Sequence, residues 1–246
     1  MKILFTILSI GIDDNPYIYS AIKLSQEILS QTHHDLLIST NKPELFNDIL
    51  NSRLIIRNNI DNTSVYKFTN QFNYNLKHFA FKNIPTSYDY IIYLDCDIKL
   101  NSWSSYSENF MIDTMSNYEF GADRLGCYLK DEVSYYINGQ RCLFSHKIQN
   151  YNILERFSIN DDIMNSRLPS EHFLILKNNP KKIIKFQEKW EEQNTYLQNT
   201  NCNACAWGDG FEIGISARYA GYHNVYNISA SNWKNILGLQ FNGNKQ

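Results

Sequence analysis

The sequence predicts an α/β fold built on a mostly parallel sheet, and three observations predict it. Through residues 1–100, short apolar runs alternate with stretches of helical spacing, the pattern of strand–helix–strand units. The run Tyr90-Ile91-Ile92-Tyr93-Leu94 is apolar at every position, as a strand buried on both faces requires. Hydrophobic residues fill 43% of the 246 positions, enough for a sizeable core.

Ile3 to Ile10 reads as a first strand, closed by the turn-forming Gly11 to Asn15. Pro16 is placed to start a helix through Ser30, with Asp14 or Asn15 as its cap. Asp35 to Thr40 is a second strand, Pro43 to Leu50 a short helix, and Leu54 to Ile56 a third strand. Asn73 to Lys82 has helical spacing, with Leu76, Phe79 and Ala80 on one side, and Ile84-Pro85 ends it. After the Tyr90 strand the pattern weakens: Phe110 to Met115 and Val133 to Ile137 read as helical, and Tyr118 to Tyr128 as loop or strand. It sharpens again with a strand at Phe173 to Leu176 and helices at Pro180 to Glu192 and Asp209 to Tyr219. Gly221 stops the second helix, and a last strand spans Val225 to Ile228.

The formal charge of −2, with Lys and Arg scattered, argues against a nucleic-acid binder. Five cysteines form no disulfide framework and point to a reducing, cytoplasmic setting. Cys202 and Cys205 make a lone CxxC, short of the four ligands a structural zinc needs. The run Lys2 to Ile10 is brief for a signal segment and lacks a small-residue cleavage site. No stretch reaches the roughly 18 apolar residues that span a bilayer, so a soluble protein with at most peripheral membrane contact is expected.

Chemistry concentrates at Asp95-Cys96-Asp97. On an extended backbone, residues two apart point to the same face, and two adjacent carboxylates repel unless a cation compensates. A hard divalent ion, Mn²⁺ or Mg²⁺, takes oxygen ligands and shares its shell with phosphate. In parallel sheets ligands bind beyond the carboxyl ends of the strands, which is where this pair stands. Without its apolar strand, an Asp-x-Asp pair would read as a strand end capping a turn.

Tyr90-Ile91-Ile92-Tyr93-Leu94-Asp95-Cys96-Asp97-Ile98 resembles the DxD segment of GT-A-type nucleotide-sugar glycosyltransferases. Lys77 matches the place where many of them carry a basic residue contacting the donor. Pro169 to Asn178 is similar to their acceptor-side strand, and Trp207-Gly208-Asp209-Gly210-Phe211-Glu212 to the acidic segment after it. The DxD strand is the specific part of this likeness. It implies a single GT-A-like, Rossmann-type domain over residues 1–241, with a mixed, mostly parallel sheet flanked by helices. Residues 1–100 would form its nucleotide-sugar half, 101–241 its acceptor half, and 242–246 a polar tail.

The resemblance implies a metal held chiefly by Asp97, with Asp95 on ribose or metal-bound water. It places Ser9, Gly11 and Asp13 toward the base and ribose; Asp13 alone would read as a helix cap, and Lys77 alone as a solvated helix residue. His223 stands late enough to be a third metal ligand, as a late His is in some relatives. The fuller motif around that His is absent, so a surface or packed role is the alternative. Asp209 and Glu212, three apart on one helical face, are candidates for the base that takes the acceptor's proton, or else complement the helix dipole. Glu171, His172 and Trp207 fall on the acceptor side.

The reading that results is metal-dependent transfer from a nucleotide-sugar, UDP-sugar favoured, to a glycan or lipid-linked acceptor. Two alternatives stand beside it: an Asp-dependent phosphoryl- or nucleotidyltransferase, and a non-catalytic sugar-nucleotide-binding protein.

Overall fold

The computed structural model describes residues 1–11, 16–60, 74–123, 125–140, 155–170, 172–199 and 210–241. Its first four strands are β1 (Ile3–Ser9), β2 (Asp35–Thr40), β3 (Leu54–Arg57) and β4 (Tyr90–Leu94). After them come β5 (Ile98–Leu100), β6 (Phe120–Asp123), β7 (Phe173–Lys177), β8 (Val225–Ile228) and β9 (Leu239–Phe241). A seven-stranded sheet ordered β3-β2-β1-β4-β7-β6-β8 forms the centre. Neighbours pair in parallel except at β7, which runs against both β4 and β6. The expected α/β architecture with a mixed, mostly parallel sheet is thus what the chain adopts.

Side-chain alternation divides the core into two layers. Ile3, Phe5 and Ile7 of β1 and Tyr90, Ile92 and Leu94 of β4 face one side. There they meet Ala21, Leu24 and Ile28 of α1 (Pro16–Gln31) and Met111 and Met115 of α2 (Ser105–Ser116). Leu4, Ile91 and Tyr93 face the other side, against Phe81 and against Ile183, Phe186 and Trp190. Helices on both faces are why the strands read as unbroken apolar runs rather than as alternating ones.

Among the described residues the remaining α-helices are α3 (Leu129–Ile137), α4 (Asp161–Met164), α5 (Pro180–Asn199), α6 (Gly210–Tyr219) and α7 (Ala230–Asn235), and Pro43–Phe46 is a 3₁₀ turn. Gly221, at φ +88°, closes the turn after α6, a conformation that favours glycine. Three features carried no pattern in the sequence: α4, α7, and the small antiparallel pair of β5 with β9. The polar tail and Cys142, Cys202 and Cys205 lie outside the described residues. Among the described residues, no helix is long and apolar enough to cross a membrane.

The segment before β4 differs from expectation in a way that matters. Tyr74–Phe81 is a 3₁₀ helix rather than an α-helix. With three residues per turn, its side chains fall into rows three apart. Leu76 and Phe79 form one row, in a small cluster with Ile60. Ala80 joins the core beside Phe81 and Tyr93, and Lys77, in its row, is carried inward too. Thr6 Oγ1 and Ser39 Oγ donate to the Ala80 and Phe79 carbonyls, at 2.7 and 3.0 Å, and lock the helix to β1 and β2.

His78, in the third row, is 3% exposed and meets Gln187 of α5. Burial pushes its imidazole down to about 4, and the charge of Glu191 opposes this only in part. The folded protein therefore keeps His78 neutral where the unfolded chain would protonate it. Its contribution to stability is whole above the ordinary value near 6.5 and is lost as pH falls from there toward 4. Urea unfolding near pH 7 and pH 4.5 should show wild type losing about 2 kcal/mol more than His78→Gln. Equal losses would remove His78 as the cause.

Candidate active site

Three strand ends meet at one edge of the sheet. Because β7 runs antiparallel to β4, it begins where β4 stops, with Phe173 opposite Leu94. One residue further, the Asp95 amide donates to the His172 carbonyl at 2.9 Å. The end of β6 arrives from the other side of β7, where Asp123 Oδ1 accepts the Phe173 amide at 3.1 Å. The antiparallel strand is therefore what sets His172 beside Asp95 and Asp123 close behind.

The strand itself ends at Leu94 rather than running through Asp97. Asp95 to Ile98 form a tight turn closed by the Ile98 amide on the Asp95 carbonyl, at 3.0 Å. The two carboxylates are thus brought together by a turn and not by strand alternation. Asp95, Asp97 and His172 each offer a ligand atom within 4.8 Å of the others, a spacing that one shared cation could bridge.

Asp95 keeps the alternation of β4 and faces the Tyr93 side, toward Lys77. Lys77 Nζ donates to Asp95 Oδ2 at 2.8 Å, with side-chain exposures of 6% and 14%. Tyr93 OH donates to Asp95 Oδ1, and His172 Nδ1 lies 3.2 Å from Oδ2. Burial alone would raise the Asp95 carboxyl. The Lys77 charge and the His172 hydrogen bond more than reverse this and hold it at about 2. Burial likewise lowers His172, and Asp95 overrides it, so the imidazole is raised. Such a carboxylate–imidazole contact fixes the ring as it does for a metal-binding histidine.

The structure gathers some of the predicted residues and separates others. Asp95, Asp97 and Lys77 are together, and Lys77 is an inward ion-pair partner, not a solvated helix residue. His172, assigned to the acceptor side, stands with the two aspartates. Ser9 is buried on the α1 face of β1, and its hydroxyl has no hydrogen-bond partner among the described residues. Gly11 follows at the same sheet edge, its backbone held by Asn41 through two hydrogen bonds of 2.9 and 3.0 Å. Glu212 is fully buried within α6. Asp13, Glu171, Trp207 and Asp209 lie outside the described residues.

His223 stands apart from the group. It is exposed and precedes β8, which is three strands from β4, or about 14 Å at ordinary strand spacing. Moreover β8 begins opposite Phe120, the start of β6, so His223 lies toward the other edge of the sheet from Asp95. In this arrangement His172, not His223, is the histidine that joins the two aspartates.

Two groups at the site had no sequence argument behind them. Tyr17, in the first turn of α1, has its phenol raised by burial first, then by Cys96, Asp97 and Asp95, which marks its closeness to the turn. Its signal was Pro16-Tyr17 at a helix start directly after the first strand. Asp123 is the other, at the end of a four-residue strand that the sequence leaves as loop or strand.

No family model matches the chain, and no curated protein matches it in sequence. Among solved structures it is similar to the galactosyltransferase LgtC in complex with donor and acceptor sugar analogues. That match has 13% identity over 92% of this chain and 73% of that one, with a TM-score of 0.44. An active-site mutant of LgtC gives 13%, 92%, 72% and 0.44. The mannosyltransferase Ktr4p from S. cerevisiae gives 11% identity over 89% of this chain and 66% of that one, with a TM-score of 0.43. At such distances, residue roles come from the geometry of the site itself.

The Lys77–Asp95 pair yields a direct test. Removing one partner of a buried pair leaves the other charge uncompensated, so Lys77→Met should destabilise the fold by about 3 kcal/mol. Adding Asp95→Asn should restore most of that loss, giving a double-mutant coupling of at least ~1 kcal/mol in urea unfolding. Additive losses would show that the two charges are not coupled.

Proposed function

We propose that the protein transfers a sugar from a nucleotide-sugar donor, with a UDP-sugar favoured, to a carbohydrate or lipid-linked acceptor, and does so with a divalent metal. The observation that carries this reading is the Asp95–Asp97–His172 group, paired with Lys77, where β4 ends and β7 begins. Ligands of open α/β sheets bind at such an edge.

Charge decides between this group as an ion site and as a bare anion site. With His172 neutral, the form that ligates a metal, two carboxylates against one ammonium leave the group negative, which repels a diphosphate. A divalent cation reverses the sign and makes the diphosphate a favourable ligand. The donor set suits this: two carboxylates and one imidazole fit Mn²⁺, whereas Mg²⁺ prefers oxygen throughout. Asp97 and His172 would hold the ion. Asp95, with both oxygens already engaged, would meet ribose or an ion-bound water. When bound, the metal supplies Lewis-acid stabilisation of the charge that grows on the departing nucleoside diphosphate.

The protein's own groups have separable roles. Tyr93 and Lys77 fix the Asp95 carboxylate and keep it ionised. His172 is oriented by Asp95 through Nδ1. Lys77 adds a fixed positive charge near the diphosphate. Asp209 is the candidate base for the acceptor hydroxyl, since Glu212 is buried within α6.

In donor-hydrolysis and transfer assays with Mn²⁺, Asp97→Ala should lower turnover by on the order of 10²-fold or more, as loss of a transition-state charge stabiliser does. Turnover within a few-fold of wild type would contradict the site. Asp209→Asn should keep metal-dependent UDP binding while lowering transfer. Unchanged transfer would remove it as the base.

A further inference from the structure

A cavity lies between β8, α6 and residues 125–130 and 165–167, and it shares no residue with the aspartate group. Gly214 of α6 makes its wall possible: a Cβ there would stand 2.4 Å from the Arg167 carbonyl. The cavity measures about 660 Å³, within the range of small-molecule sites.

Its lining is unlike the rest of a chain whose net charge is −2. Lys130, Arg167, Arg218 and His223 all line it, and among the described residues no Asp or Glu does. Arg167 and Lys130 both sit over the Tyr128 ring, at 4.6 and 5.1 Å from its centroid. Lys130 Nζ also donates to Asn165 Oδ1 at 3.0 Å, so two cations stand around one ring, a positive wall that favours an anion. Arg218 spends Nη2 on Asp162, while its buried Nε has no hydrogen-bond partner among the described residues. Tyr222 is 1% exposed, and its hydroxyl too has no partner among them.

We infer that this cavity is a second binding site, for a saccharide that carries an oxyanion. Guanidinium and ammonium groups would take the phosphate or carboxylate, in the forked geometry that arginine offers. Tyr118 and Tyr226, which also line the cavity, would meet the apolar face of the sugar ring. Since the cavity and the aspartate group have no residue in common, this site stands whether or not a donor binds at the aspartates.

The test is calorimetric titration of the full chain with glucose 6-phosphate, glucuronate and glucose, with and without saturating UDP and Mn²⁺. The charged sugars should bind at least about tenfold more tightly than glucose, weaken as salt rises, and not be displaced by UDP. Whichever of the two binds more tightly identifies phosphate or carboxylate as the preferred group. Lys130→Gln combined with Arg167→Gln should lower that affinity at least about tenfold with the melting temperature kept. His223→Gln is the second variant: this residue lines the cavity and is exposed, so its loss should leave the fold as stable and still weaken binding. Three results would overturn the inference: glucose binding equally well, displacement by UDP, or full affinity in both variants.

Discussion

The site is anchored by the ammonium of Lys77 against the carboxylate of Asp95, in a place where neither would stand alone. Taking either charge out of water is expensive, and each makes the other tolerable. The pair also ties together two parts of the chain that already share a core layer. One is a 3₁₀ helix clamped to β1 and β2 by Thr6 and Ser39; the other is the end of a strand buried along its whole length. Because that strand is packed on both faces, Asp95 cannot turn away to find water. Its geometry is inherited from the core, and the turn after it inherits its position from Asp95.

The second constraint is the direction of β7. Had it run parallel to β4, its start would lie at the far edge of the sheet and His172 would not approach the aspartates. Running antiparallel, it delivers His172 to Asp95 and, through β6, Asp123 to the amide of Phe173. A site of carboxylates, imidazole and ammonium thus arises from three strand ends whose convergence is a property of the sheet, not of any one motif.

Burial and strand direction also account for what the sequence disclosed and what it withheld. The Tyr90–Leu94 run was legible because a strand buried on both faces has no polar positions to obscure it. The two aspartates after it were legible because carboxylates seldom follow such a run without a reason. Lys77 was found by position but not by orientation. A period of 3.6 groups Leu76, Phe79 and Ala80, whereas the 3₁₀ rows place Ala80 on the inward side with Lys77. His172 was read as one of two adjacent polar residues at a strand start, since nothing local says which strand lies opposite or in which direction. That His223 stands apart from the aspartates was hidden for the same reason: sequence order does not reveal that β8 stands at the edge of the sheet. The pairing of β5 with β9 spans most of the chain, and three-residue strands leave no periodicity to read.

If Asp97 and His172, backed by Asp95, hold one divalent cation against a nucleoside diphosphate, electron paramagnetic resonance of Mn²⁺ will report it, because bound ion loses the sharp six-line signal of free ion. With UDP present, the protein should sequester about one equivalent of Mn²⁺ per chain. His172→Ala should weaken that uptake, while His223→Ala leaves it unchanged. If UDP binds equally well in EDTA, or if uptake follows His223 instead of His172, the metal site is not the one described.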